Sequence, residues 1–280
     1  MQLSKIGWCD YSGGGCPDLN FVRGCAPVSE GCEHCYAKAI YERFGKDFSE
    51  VVYDRQALER LLYKQFWNGR TKRGDWQKPI CFVCDTGDLF HESVPSSFIH
   101  DALGLMSSRQ SVTWVVLTKR AKRMAQVVTE LVRKYSDVIG GGFALSPNIW
   151  LGVTVENQAR FDERVPLLLS TPARMRFVSL EPLLGPVDVS GSLTCDGHKV
   201  NGECCEQYAV HGEHYHGLDW VIVGAESGPK RRPFDVRWAE DVKRQCDEAG
   251  IPMFGKQDSG LRPGAPLLFD GQECKAWPAS

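Results

Sequence analysis

Five runs of β-branched and aromatic residues recur along the chain, at 79–84 (PICFVC), 113–117 (TWVVL), 149–155 (IWLGVTV), 175–180 (MRFVSL) and 219–223 (DWVIV). Each is nearly continuous in apolar character, as parallel strands covered on both faces must be. A shorter run at 251–254 (IPMF) closes the series. Between the runs the period lengthens to that of a helix. Residues 122–135 place Met124, Val127, Val128, Leu131 and Val132 on one face, and 236–249 do the same with Trp238, Val242 and Cys246 before Gly250 supplies a stop. Strand and helix in alternation predict repeated βαβ units and a parallel sheet. With roughly six repeats the predicted class is α/β, a full or partial (β/α) barrel. Pattern alone leaves an open doubly wound sheet as the alternative.

Each predicted strand ends in polar chemistry: Asp85-Thr86-Gly87-Asp88, then Thr118-Lys119-Arg120, Glu156-Asn157, Glu181-Pro182 and Gly224-Ala225-Glu226. Polar turns end every strand, but five endings carrying carboxylates or cations exceed what turns require. Barrel active sites gather at these C-terminal strand ends. Lys119, Arg120, Glu181, Glu226 and Lys256 are therefore candidate catalytic residues. Lys119, Arg120, Lys122 and Arg123 form one basic cluster and Lys230, Arg231 and Arg232 another. On a common rim they would hold phosphates, although Lys122 and Arg123 also read as a solvated helix start. His91 and Glu92 read as a local hydrogen-bonded pair.

Composition narrows the picture. The 280 residues suffice for one large α/β domain and at most two ordinary ones, and the unbroken series favours a single domain over 1–280. Net charge is −2, so no global field draws the chain to nucleic acid or to anionic membrane, and any polyanion needs a local patch. No basic segment followed by an apolar run opens the chain, and no stretch approaches the roughly 18 apolar residues of a membrane span. A soluble, cytoplasmic protein is expected.

Twelve cysteines then change the picture. Without a leader they read as reduced thiols and metal ligands rather than disulfides. Cys25, Cys32 and Cys35 stand together in one short run, with no fourth in the motif. A structural zinc site would want four closed ligands, whereas a [4Fe–4S] cluster held by three thiolates keeps one iron open. Cys9 and Cys16 precede the run, as part of a second metal site or as ordinary thiols. Residues 190–217, between the fourth and fifth runs, lack apolar periodicity and hold Cys195, His198, Cys204, Cys205, His211, His214 and His216. They read as an insertion, either a zinc loop or a polar loop.

The spacing Cys25-x6-Cys32-x2-Cys35 resembles the cluster motif of radical S-adenosylmethionine enzymes, which usually space the first two cysteines three apart. A helix-like stretch at 37–44 follows the motif, and residues 19–22 (LNFV) precede it as the expected first strand. Over most of its length the chain is similar to a phage and prophage family of three-Cys-motif, radical-SAM-like proteins. That likeness is carried by Gly7-Trp8-Cys9-Asp10-Tyr11, Gly31-Cys32-Glu33-His34-Cys35-Tyr36-Ala37, Gly87-Asp88-Leu89-Phe90-His91-Glu92, Leu117-Thr118-Lys119-Arg120, Trp150-Leu151-Gly152-Val153-Thr154-Val155-Glu156-Asn157, Ser179-Leu180-Glu181-Pro182-Leu183-Leu184-Gly185-Pro186, Gly224-Ala225-Glu226-Ser227-Gly228 and Gly255-Lys256-Gln257.

The resemblance implies a partial (β/α) barrel of the radical SAM type with a Cys/His-rich insertion. It implies that Cys25, Cys32 and Cys35 ligate a [4Fe–4S] cluster, whose open iron takes S-adenosylmethionine and yields a 5′-deoxyadenosyl radical. Asp85, Thr86 and Asp88 would then meet the methionine amino group, Thr154, Glu156 and Asn157 the ribose hydroxyls, and Gly224 would flank the adenine. The implied partners are a small-molecule or nucleic-acid substrate and an external electron donor, with modification or repair of nucleotides or nucleic acid as the reaction. A zinc-binding adaptor on a degenerate barrel, and an iron–sulfur enzyme without S-adenosylmethionine, are the competing readings.

Overall fold

Every apolar run becomes a strand of one sheet. In the computed structural model, which describes residues 2–66, 70–75, 77–139, 145–193 and 217–279, the strands are β1 (Ile80–Phe82), β2 (Thr113–Thr118), β3 (Ile149–Thr154), β4 (Met175–Leu180), β5 (Trp220–Gly224) and β6 (Met253–Gln257). They pair in chain order, each parallel to the next. Helices α1 (Tyr36–Arg43) and α2 (Arg55–Arg60) precede the sheet. The crossovers carry α3 (Ser96–Ser108), α4 (Ala121–Ile139), α5 (Gln158–Leu169) and α6 (Val236–Ala249). The β4–β5 connection contains the stretch expected to be an insertion, of which residues 194–216 are not described. Its Cys195, His198, Cys204, Cys205, His211, His214 and His216 lie outside the described residues.

An uninterrupted parallel strand order puts the crossover helices α3 to α6 on one face. The side chains record it. Cys81, Trp114, Leu151, Val178, Val221 and Met253 pack with Ile99, Val128, Val165 and Val242 of α3 to α6. Their neighbours Ile80, Phe82, Val115, Trp150, Phe177, Trp220, Ile222 and Phe254 point the other way and form a separate aromatic core with Trp8. The sheet is thus a curled six-strand half-barrel, with aromatic side chains inside and helices outside. Strands apolar on both faces follow from this layering.

Neither edge is bare. Along β1, Asp10 and Tyr11 donate backbone N–H groups to Ile80 O at 2.8 and 3.1 Å, and Phe82 N donates to Tyr11 O at 2.9 Å. Along β6, Gly255 N donates to Cys274 O at 2.7 Å and Ala276 N to Met253 O at 3.0 Å. The two covering segments meet where Trp277 Nε1 donates to Trp8 O at 2.9 Å. Covered edges offer no template for pairing with another chain.

Two expectations shift. The stretch 19–22 is not the first sheet strand: Pro17–Leu19 forms a 3-10 turn, and Val22–Arg23 pairs antiparallel with Val52–Tyr53 outside the main sheet. Asn20 is drawn away to brace Asp85 and the Thr86 N–H. The closing strand begins at Met253 rather than Ile251, because Pro252 has no N–H to give the ladder. Helix α6 spans the predicted residues and stops at Gly250, which adopts φ 69°. No helix among the described residues is long and apolar enough to cross a membrane.

Candidate metal and cofactor site

Burial separates the cysteines. Cys9, Cys16, Cys81, Cys84 and Cys246 are buried, whereas Cys25, Cys32 and Cys35 are partly exposed. Cys9 sits in the inner aromatic core and Cys16 in the outer one, so both are core thiols. Burial pushes Cys9 up to about 12. Cys32 closes a 3-10 turn (Glu30–Cys32), and Cys35 is the residue before α1, whose Ala39 N donates to its carbonyl at 3.1 Å.

The loop carrying the three thiols is fastened by the polar ends of three strands. After β2, Arg120 donates from Nη1 to Cys25 Sγ at 3.3 Å and from Nη2 to Ala26 O at 3.0 Å. After β3, Glu156 accepts from Ser29 Oγ at 2.7 Å, and Asn157 Nδ2 donates to Glu30 at 2.5 Å. Gly31 passes so close that a Cβ there would lie 2.3 Å from Glu156 Oε1, so no larger residue fits without movement. After β5, Glu226 accepts from Arg232 and bonds His34 Nδ1 at 3.1 Å, while Arg232 Nη1 donates to Glu30 O at 2.9 Å.

These bonds mark the titration of both carboxylates. The Glu30 carboxyl is held at about 2, by its own backbone N–H and then, against burial, by Arg160 and Asn157. Burial would raise Glu226, but Arg232 and His34 override it and hold that group at about 2 as well.

The thiols face a cavity of about 420 Å³ at the C-terminal mouth of the half-barrel. Of the predicted site residues, Asp85, Asp88, Lys119, Arg120 and Thr154 line it with them. Asp85 accepts from Asn20 Nδ2 at 2.6 Å, and its burial raises its carboxyl above the ordinary range. Its backbone carbonyl accepts from the Tyr36 hydroxyl. Asp88 is saturated by Thr118 Oγ1 at 2.8 Å, Arg120 Nη1 at 3.1 Å and the Phe90 N–H at 2.9 Å. Burial works against charge on Arg120, but Asp88, Cys25 and Glu92 outweigh it and hold the guanidinium charged. Burial, then Asp88, pushes the Cys25 thiol up to about 11 despite Arg120.

Other predicted residues stand elsewhere. Glu156 is fully buried, its oxygens taken by Ser29 and Arg164 with Lys119 3.9 Å away, and Asn157 caps α5 while holding Glu30. Both therefore fasten the cysteine loop, and neither opens on the cavity to meet a ribose. Glu226 is engaged the same way. Thr86 uses its N–H on Asn20 and its carbonyl on Gly24. Glu181 and Lys256 pair at 2.9 Å beside Gly224, where a Cβ would lie 2.6 Å from Glu181 Oε1, and none of the three lines the cavity. Arg232, expected to hold phosphate, is occupied by carboxylates.

Tyr36, Phe82 and Cys84 also line the cavity, although no sequence signal singles them out for it. Arg160 and Arg164 brace Glu30 and Glu156. Their four-residue spacing on one helix face, directly after Glu156-Asn157, was the available signal.

The chain belongs to the family described as "Protein of unknown function (DUF5131)", whose model matches residues 3–265. No curated protein matches it. Among solved structures it is similar to spore photoproduct lyase complexed with dinucleoside spore photoproduct, at 11% identity and TM-score 0.46, covering 92% of this chain and 78% of that one. It is also similar to a single mutant of that lyase with the dinucleoside spore photoproduct, at 9% identity, TM-score 0.43 and coverage of 93% and 80%. A double mutant with bound AdoMet and the same dinucleoside gives 9% identity, TM-score 0.41 and coverage of 87% and 75%.

Proposed function

We propose that the chain is a radical S-adenosylmethionine enzyme acting on a nucleotide or nucleic-acid substrate, in which Cys25, Cys32 and Cys35 hold a [4Fe–4S] cluster. The observation that carries this reading is three partly exposed thiols lining one cavity at the strand ends of a half-barrel, on a loop fastened from three sides. The donor set fits such a cluster. Thiolate is its usual protein ligand, and three thiolates leave one iron open. A lone zinc ion would instead gather four ligands at roughly 2.3 Å. Among the described residues no three His, Cys, Asp or Glu side chains converge closely enough to hold a metal ion, so Cys25, Cys32 and Cys35 would have to draw together around the cluster.

When bound, the cluster and S-adenosylmethionine together supply a radical that abstracts hydrogen from the substrate. The chain's own residues do the rest. Arg120 donates to the Cys25 sulfur, the kind of bond that sets a cluster's potential. Asp85, which lines the cavity with its carboxylate already accepting from Asn20, Ser12 and the Gly13 and Gly14 N–H groups, would take the ammonium of the cofactor's methionine as one more donor. Asp88, saturated by its partners, positions Arg120 instead. Lys119 presents a cation to a carboxylate or phosphate. Phe48, Phe82 and Leu117 complete the lining with apolar surface, which keeps water from the site.

Anaerobic reconstitution followed by iron and sulfide analysis and electron paramagnetic resonance tests the reading. About four irons per chain are expected, as one [4Fe–4S] cluster requires, with a reduced-state spectrum that shifts when S-adenosylmethionine is added. Cys32→Ala should lose the iron while its circular dichroism stays that of the wild type. Zinc without iron, full iron in Cys32→Ala, or a spectrum blind to the cofactor would overturn the reading.

A further inference from the structure

A second cavity, of about 380 Å³, adjoins the first and shares Val28, Lys119 and Arg120 with it. Its lining gathers five cations: Lys119, Arg120, Lys122, Arg123 and Arg164. The two carboxylates there are already engaged, Glu92 by Arg120 at 2.8 Å and Glu163 by Arg160 at 2.7 Å. Lys122 is exposed and has no partner among the described residues.

Two residues of this wall carry a buried Nε with no acceptor among the described residues. Arg164 is 2% exposed and gives Nη1 to Thr154 O at 2.7 Å and to Glu156 at 3.0 Å, but its Nε has no partner. Arg123 gives Nη2 to Val94 O at 2.5 Å, and its Nε is likewise unpaired. A buried guanidinium N–H without an acceptor is costly, because its desolvation is not repaid. The first turn of the 19-residue α4, Ala121 to Arg123, lines the same cavity. Its backbone N–H groups have no intrahelical acceptors, and the helix dipole there favours an anion.

We infer that this second cavity is a phosphate subsite, which binds a phosphate group of the substrate so that the attached nucleoside enters the cysteine-lined cavity next door. Nucleotide phosphate is the chemistry that answers all three features: several donors at once, double negative or diester charge, and a site reached from solvent past Lys122. The subsite rests on the proposed function for its place in the reaction, not for its existence, since no cluster is needed to form it.

The test uses the full chain, both cluster-free and reconstituted, and fluorescence anisotropy of a labelled single-stranded oligodeoxynucleotide. Binding should weaken as salt rises. Lys122→Glu and Gln126→Glu, both of which put negative charge at the cavity wall, should each weaken it by about tenfold or more. Lys134→Glu, exposed further along the same helix, makes the same change in net charge as Lys122→Glu and should bind as the wild type does.

Competition identifies the source of the phosphate. Displacement by thymidine 5′-monophosphate and by inorganic phosphate supports a mononucleotide, and displacement by unlabelled oligonucleotide alone supports a backbone phosphodiester. Thymidine competing as well as its monophosphate, or Lys122→Glu binding as tightly as wild type, overturns the subsite. Phosphate binding in a chain that takes up no iron sinks only the radical chemistry. Iron uptake without discrimination for phosphate sinks only the subsite.

Discussion

Arg120 shows how one side chain organises the site. Its guanidinium reaches Cys25, Ala26, Asp88 and Glu92, which leaves it a positioning residue rather than the catalytic one its place after β2 suggested. The consequence is measurable at Cys25. With that thiol held at about 11 by burial and Asp88, only roughly one molecule in a thousand carries the thiolate at pH 8. Cluster-free protein should therefore alkylate slowly at Cys25 with iodoacetamide at pH 8, and faster toward pH 11. Arg120→Leu removes both the cation and the donor, so it should slow Cys25 further. Peptide mapping by mass spectrometry reads each cysteine separately, and a Cys25 that reacts at pH 8 like a free thiol would refute the account. The residue scale is also where sequence reasoning was weakest. That Cys25, Cys32 and Cys35 form one group was legible from residue type and spacing alone. The true partners of Glu156, Asn157 and Glu226 were not, because a carboxylate at a strand end looks the same whether it meets a ligand or fastens a loop.

Elements were more legible, for a physical reason. A strand buried on both faces must be apolar throughout, so β2 to β5 were marked by their own residues, and α6 was marked by its period and its terminal glycine. The stretch at 19–22 carried a strand's apolar character but not its hydrogen-bonding partners, which only the assembled sheet assigns. Packing between strands also fixes a residue that no pattern would single out. Gly152 of β3 lies opposite Phe177 of β4, and a Cβ at Gly152 would sit 2.3–2.5 Å from that ring. Gly152→Ala should destabilise the chain by about 1–3 kcal/mol, the usual cost of overpacking. Gly104 of α3 has open space around its would-be Cβ, so Gly104→Ala should instead stabilise by about 0.5–1 kcal/mol. Thermal melts of the two variants should move in opposite directions, and equal behaviour would mean that the interior of the half-barrel is looser than the Gly152–Phe177 contact requires.

Whole-molecule architecture hangs on a fact that apolar runs do not carry: which side of the sheet each helix takes. Strands apolar on both faces suit a half-barrel and an open doubly wound sheet alike, and the unbroken strand order decides between them. That order also brings Glu156, Asn157 and Glu226 to one rim, where they and Arg232 fasten a loop distant in sequence. The arrangement makes loop docking depend on acid. The Glu226 carboxyl sits at about 2 in the folded chain against an ordinary 4.5, so the folded state favours its ionised form. A depressed carboxyl of this kind contributes stability that is complete above about pH 4.5 and is lost as pH falls through about 2. Glu30, also held at about 2, adds to the same window. Glu226→Gln removes the first contribution. Its melting temperature should lie below that of the wild type at pH 7, by an amount corresponding to about 1–3 kcal/mol after solvent screening. The gap should narrow steadily between pH 4.5 and pH 2, because the wild-type carboxyl is by then protonated and resembles the amide. A gap constant across that range would show that Glu226 acts through shape and packing, and that charge is not what holds the cysteine loop to the barrel.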